Sequence, residues 1–155
     1  MAKKETGEKS LAVNRKARHL YTTEDSLECG IELRGTEVKS VKGARFSFSD
    51  SYAAIEKGEL WLIGLHISPY DFGNRSNHDP LRRRKLLVHK LEIKGLKRQV
   101  EEKGLTLIPL RFYLKRGIVK LQLGVCRGKK LYDRREAIKK RDLRRDEDRE
   151  FRHRI

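Results

Sequence analysis

Two stretches in the last third of this chain leave it little choice but a β fold. Leu105 to Leu114 and Ile118 to Val125 are rich in leucine, aromatic and β-branched residues, and in the second Val119, Leu121, Leu123 and Val125 alternate with Lys120, Gln122 and Gly124. A period of two sends one set of side chains to a buried face and the other to a basic, solvated one, which is the geometry of a strand. Lys115-Arg116-Gly117 joins the two, its glycine suited to a tight connection, so the pair is expected to be a hairpin. The same alternation appears at Leu27, Cys29, Ile31 and Leu33. A further hairpin is expected from Phe46–Glu56 and Glu59–Ile67 around Lys57-Gly58. Its second arm is apolar on both sides, as in a central strand with a helix packed outside.

Helical signals are fewer. Thr36 to Val41 follows Gly35 and can make one or two turns. Asp79-Pro80 reads as a helix start leading into Arg82, Arg83, Arg84 and Lys85 as a basic helical turn. Leu87, Leu91, Leu96 and Val100 continue at helical spacing to Lys103-Gly104, where glycine can end the helix. About six strands, two tight hairpins and helices inserted between strand groups predict a mainly β protein with small helices, closed into an oligonucleotide-binding-type β-barrel. The expected organisation is a flexible basic arm over 1–13, the barrel over 14–127 and a basic tail over 128–155.

Charge bounds the function. In 155 residues Lys and Arg number 38 against 22 Asp and Glu, a formal net charge of +16, which calls for a polyanionic partner. No apolar run is long enough to span a bilayer, and no apolar segment follows the charged N-terminus as a signal peptide would, so nucleic acid in the cytoplasm is the expected partner and no membrane is. Cys29 and Cys126 lie in apolar alternating segments and read as small buried hydrophobes in a reducing compartment. The tail holds too few apolar residues to pack on the barrel, yet Glu136 and Lys140, Asp148 and Arg152, and Glu150 and Arg154 pair at i and i+4. Each such pair contributes about 0.2 to 0.5 kcal/mol, so the tail is expected to be disordered alone and helical on a template.

Three basic stretches are candidate sites. Asn14, Arg15, Lys16, Arg18 and His19 combine phosphate-binding cations with groups able to bond a 2′-hydroxyl or a base edge. Arg84 and Lys85 belong to four consecutive cations whose mutual repulsion a polyanion would screen. Gly128, Lys129, Lys130, Tyr132, Asp133, Arg134 and Arg135 set a tyrosine that can stack on a base within a basic run after a glycine. Each run also has a bland reading as a solvated charged face. Enzymes are poorly served: His66 reads as a satisfied internal histidine, and His19, His78, His89 and His153 have no metal-ligand spacing with the cysteines. Glu28, Glu32, Glu37, Asp50 and Glu59 fall on different elements, and no P-loop, nucleophile elbow or dinucleotide motif occurs. No catalytic residue, metal or cofactor is expected. A ribosomal or ribosome-assembly protein with a similar barrel is the alternative adaptor.

Asn14-Arg-Lys-Ala-Arg-His, Gly35-Thr-Glu-Val-Lys-Ser, Asp50-Ser-Tyr, Gly58-Glu-Leu, Arg84-Lys-Leu-Leu and Gly128-Lys-Lys-Leu-Tyr-Asp-Arg-Arg-Glu, in that order, closely resemble the small protein B family, over about Ala12 to Arg149. The resemblance implies binding to the tRNA-like domain of transfer-messenger RNA and delivery to stalled ribosomes, with elongation factor Tu engaged through the RNA. It implies an oligonucleotide-binding barrel, acting as a monomer in place of an anticodon arm, with RNA contacts at Asn14, Glu28, Leu87 and Lys120. It further implies that the tail probes the empty messenger channel. Family members carry histidine where Tyr132 stands and commonly lysine at Arg134, changes that keep the ring and the charge.

Overall fold

The computed structural model describes residues 8–70 and 77–129. In chain order the elements are β1 (Glu8–Val13), α1 (Arg15–Leu20), β2 (Tyr21–Ile31), α2 (Gly35–Lys42), β3 (Phe46–Ser47), β4 (Tyr52–Glu56), β5 (Glu59–Ile63), β6 (His66–Ile67), β7 (Arg84–Leu87), α3 (Lys90–Lys103), β8 (Thr106–Lys115) and β9 (Ile118–Gly128). Strands β8, β4, β5, β7, β2 and β9 hydrogen-bond in that order, and β9 returns to β8, so six strands form a ring with β1 added on β8. Every pairing is antiparallel.

Period-two sequence builds the inside of this ring. Leu121, Leu123 and Val125 of β9, Leu60 and Leu62 of β5, Leu86 of β7 and Cys29 of β2 all turn into one core. The small β3–β6 ladder and α2 close one side of it, Phe46 meeting Phe112 edge-on with ring centroids 4.9 Å apart. Both expected hairpins form, and their turns need left-handed backbone at two successive residues. Lys57 and Gly58 have φ of 52° and 75°, and Arg116 and Gly117 have 53° and 79°, which matches the twist of the flanking strands. Gly104, at φ 66°, ends α3 as expected. Both cysteines are buried and free; burial, then the nearby carboxylates of Glu92 and Glu28, push the Cys29 thiol up to about 12.

Several expectations are corrected. Residues 8–13, expected to belong to a flexible arm, form β1: Leu11 and Ala12 pack on the core, while edge pairing with β8 needs only backbone groups that composition does not reveal. Arg82 to Lys85 is not a helical turn. Asp79 instead caps a turn, its Oδ1 accepting from the Leu81 amide at 3.0 Å, and Arg84–Leu87 is a strand whose first and third residues point inward. Helix α1 was not foreseen. The outer face of β5 is covered at Trp61 by a cation rather than a helix, with the Arg83 guanidinium 5.3 Å from the ring centroid. His66 is half-buried, and the satisfied internal histidine is His78, between the Ile67 carbonyl at Nε2 and the Thr36 hydroxyl at Nδ1, both at 2.9 Å.

Candidate nucleic-acid interface

Antiparallel register assembles the first candidate surface. Gly30 of β2 lies opposite Lys120 of β9 and also opposite Leu87 of β7, so these two side chains flank a position with none. Glu28 stands two residues earlier on the same face, and Val88, His89 and Glu92 complete the groove. A Cβ at Gly30 would meet the Leu87 Cβ at 3.2 Å, so glycine keeps the floor open. Leu87 is 49% exposed, unusual for leucine in a strand, and lines the same groove as Lys120 and Glu28.

That carboxylate is fixed from below. The Tyr113 hydroxyl donates to Glu28 Oε2 at 2.5 Å and Lys115 Nζ approaches at 3.4 Å. The Tyr113 bond, opposed by partial burial and supported by Lys115 and Lys120, holds the Glu28 carboxyl below its usual range. Tyr113 is held in turn, with the Arg111 guanidinium 4.2 Å over its ring and Arg111 bonded to Gln122 Oε1 at 3.0 Å and to Glu8 at 2.5 Å. Glu28 thus presents an oriented hydrogen-bond acceptor to the groove. Replacing Tyr113 by Phe removes the bond that most lowers Glu28, so its titration midpoint should rise, read by carboxyl carbon NMR, with stability falling by about 1 kcal/mol. An unmoved midpoint would detach Tyr113 from the groove.

The second surface surrounds α1. Asn14 caps this helix, Oδ1 accepting from the Ala17 amide at 3.2 Å, while Nδ2 donates to the Pro109 carbonyl at 2.8 Å. It is buried and pins α1 to β8, while Arg15, Lys16, Arg18 and His19 are exposed. Lys16 bonds Asp50 at 2.8 Å; among the described residues neither Arg15 nor Arg18 has an acidic partner. Gly128 pairs with Tyr21, the Lys129 amide donates to the Leu20 carbonyl at 2.9 Å, and Lys129 Nζ reaches the Arg18 carbonyl at 3.0 Å. Lys130, Tyr132, Asp133, Arg134 and Arg135 lie outside the described residues.

The expected contacts therefore divide. Glu28, Leu87 and Lys120 share one groove, whereas Asn14 lines a different cavity with Lys16. Arg84 belongs to neither: strand alternation turns it inward, fully buried against Glu37 with Nε 2.7 Å from Oε2, where it cannot touch a ligand. Lys85 stays half-buried beside Glu59 at 3.6 Å. Sequence reasoning overlooked Arg111, Tyr113 and Lys115, although their spacing of two on an expected strand put them on one face. Among the described residues no group of three His, Cys, Asp or Glu can hold a metal ion, and no helix is long and apolar enough to cross a membrane.

Strand ring, exposed cationic helix and mixed-charge groove together define a class of small β proteins that display charge and hydrogen-bonding groups to a polyanion. Within that class the chain belongs to the SmpB family, whose model, described as SmpB protein, matches residues 11–153. The SsrA-binding protein of Desulfitobacterium hafniense (strain DSM 10664 / DCB-2) is similar at 56% identity over 146 residues, 94% of each chain. The SsrA-binding protein of Ligilactobacillus salivarius (strain UCC118) is 50% identical over 146 residues, again 94% of each. A solved structure described as "tmRNA-SmpB: a journey to the center of the bacterial ribosome" superposes with a TM-score of 0.65 at 50% identity, covering 77% of this chain and 85% of that one.

Proposed function

We propose that this protein binds SsrA RNA, the transfer-messenger RNA, at its tRNA-like domain and delivers it to stalled ribosomes for trans-translation. The observation that carries this reading is the family match over residues 11–153, which takes in both the ring and the basic tail. In this reading the ring is a closed oligonucleotide-binding-type barrel standing in for an anticodon arm, and 128–155 probes the empty messenger channel. Elongation factor Tu joins through the RNA. The protein works as a cytoplasmic monomer, contributing shape and charge rather than catalysis and needing no cofactor.

Glu28, Leu87 and Lys120 offer an acceptor, an apolar contact and a cation within one groove, suited to an RNA minor groove or an unstacked loop. Arg15, Lys16, Arg18 and His19 supply phosphate contacts that set register. The test is binding to the isolated tRNA-like domain against a random duplex of equal length. A preference of at least about tenfold is expected, with the logarithm of affinity falling against log salt by roughly 0.7 to 0.9 per phosphate contact. Equal affinity for the two RNAs, or a flat salt response, overturns the reading.

A further inference from the structure

Side chains alone tie together the outer face of β1, β8, β9 and β2, which are neighbours in the ring. Glu8 of β1 accepts from Arg111 Nη2 of β8 at 2.5 Å, Arg111 Nε donates to Gln122 Oε1 of β9 at 3.0 Å, and Gln122 Nε2 donates to Ser26 Oγ of β2 at 3.2 Å. Arg111 follows an irregularity in the β8–β9 register after Pro109, a feature that re-aims side chains. Phe112 turns into the core, so Tyr113 stands on the outer face with Arg111 and Lys115. Its ring is nonetheless only 3% exposed, with the Arg111 guanidinium 4.2 Å from its centroid and its hydroxyl bonded to Glu28. Glu8 lies opposite Lys115 in the strand register yet pairs with Arg111, and Lys115 Nζ approaches Glu28 instead, at 3.4 Å.

We propose that Arg111, anchored by Glu8, is a positioning residue for RNA binding: it holds the Tyr113 ring so that the hydroxyl fixes the Glu28 carboxylate in the groove, and β1 thereby belongs to the binding machinery. The inference rests on the RNA-binding reading above and deepens it by naming what orients one contact. Arg111 does not line the groove with Glu28, Leu87 and Lys120, so its influence passes through Tyr113. It offers one nitrogen to a carboxylate, another to an amide and its flat face to a ring, a set of contacts that a planar guanidinium makes and an ammonium does not. The pair is partly shielded, the Arg111 and Glu8 side chains keeping 30% and 34% of their exposure. A carboxylate ordered before the ligand arrives spares the complex the rotamer freedom it would otherwise lose on binding. The packing of Leu11 and Ala12 explains why β1 adheres to the ring, but it does not require an acidic residue at position 8.

Affinity of the full chain for the isolated tRNA-like domain, measured for Glu8→Gln and Arg111→Gln in the wild-type and in the Glu28→Gln background, tests this. Each substitution should weaken binding about fivefold alone and by less than about twofold once Glu28 is replaced, because residues acting on one contact do not add. The salt slope should stay that of the wild type, since support for an acceptor involves no phosphate contact. Arg111→Lys, which keeps the charge and loses the fork, should bind as weakly as Arg111→Gln. In the RNA-free protein both Gln variants should raise the Glu28 titration midpoint in the direction expected for Tyr113→Phe, a change that a merely structural ion pair on β1 would not produce. Should Arg111→Gln fail to fold, Glu8→Gln, at the exposed start of β1, carries the comparison alone. Wild-type affinity in both Gln variants, full affinity in Arg111→Lys, or an unmoved Glu28 midpoint overturns the inference while RNA binding stands. A loss that persists without Glu28 also overturns it, and a slope shallower by about one would then make Arg111 a phosphate contact. If the wild-type chain shows no preference for this RNA over a random duplex, the functional reading itself fails.

Discussion

Chains ending at Lys129 are expected to bind the tRNA-like domain within about threefold of the full protein, a difference below 1 kcal/mol, yet to support no peptide tagging on stalled ribosomes. The position of the cut matters. Lys129 donates its amide to Leu20 and its ammonium to Arg18, and Gly128 pairs with Tyr21, so these residues belong to the body. What is removed is Lys130 to Ile155, a segment rich in cations and poor in apolar residues. Affinity for purified RNA and tagging of a nascent chain in a reconstituted translation system are the two readouts. A hundredfold loss of RNA affinity would place the principal RNA grip in the tail and refute the division of labour.

The second large effect lies in the core. Glu37 and Arg84 are both fully buried. Glu37 accepts from Arg82 Nη2 at 2.5 Å, Arg84 Nε at 2.7 Å and the Arg34 amide at 2.8 Å, while Arg84 Nη1 donates to the Leu65 carbonyl at 2.7 Å. Replacing Arg84 by Met leaves a buried carboxylate with one side-chain partner and should cost about 3 to 5 kcal/mol. A thermal midpoint lower by about 10 °C or more is the expected sign. Restoring neutrality with Glu37→Leu in the same chain should recover much of the loss, because apolar pairs often replace buried ion pairs at no cost. Burial alone raises the Glu37 carboxyl, but the bonds from Arg82, the Arg34 amide and Arg84 outweigh it and hold it below its ordinary value of 4.5. A carboxyl lowered on folding contributes stability above its unfolded value, and that contribution fades as pH falls through 4.5 toward the lower folded value. Acid melting of the wild type should therefore steepen below this point. If Arg84→Met melts like wild type, the cluster is ornamental.

Strands and hairpin turns were legible because alternation and Lys-Gly or Arg-Gly turn pairs are local signals, and Val119, Leu121, Leu123 and Val125 all turn inward as their spacing requires. The arginine run misled for a physical reason. Asp79-Pro80 satisfies helix-start chemistry and turn chemistry equally well, and nothing local says that Arg84 will find Glu37, 47 residues away. Asn14 was flagged for its amide, but that amide serves as a helix cap, a role visible only once α1 exists. Glu28 and Leu87 came from family resemblance alone, since a lone glutamate and an exposed leucine carry no compositional mark. What makes them a pair is the register through Gly30, a long-range property of the sheet.

The final strand of the ring runs beside β2 down to Gly128, and the next residue is tied to the end of α1. A joint clamped on both sides has no play: Gly128 and Lys129 are held to Tyr21, Leu20 and Arg18, so they turn as one body with α1 and the ring.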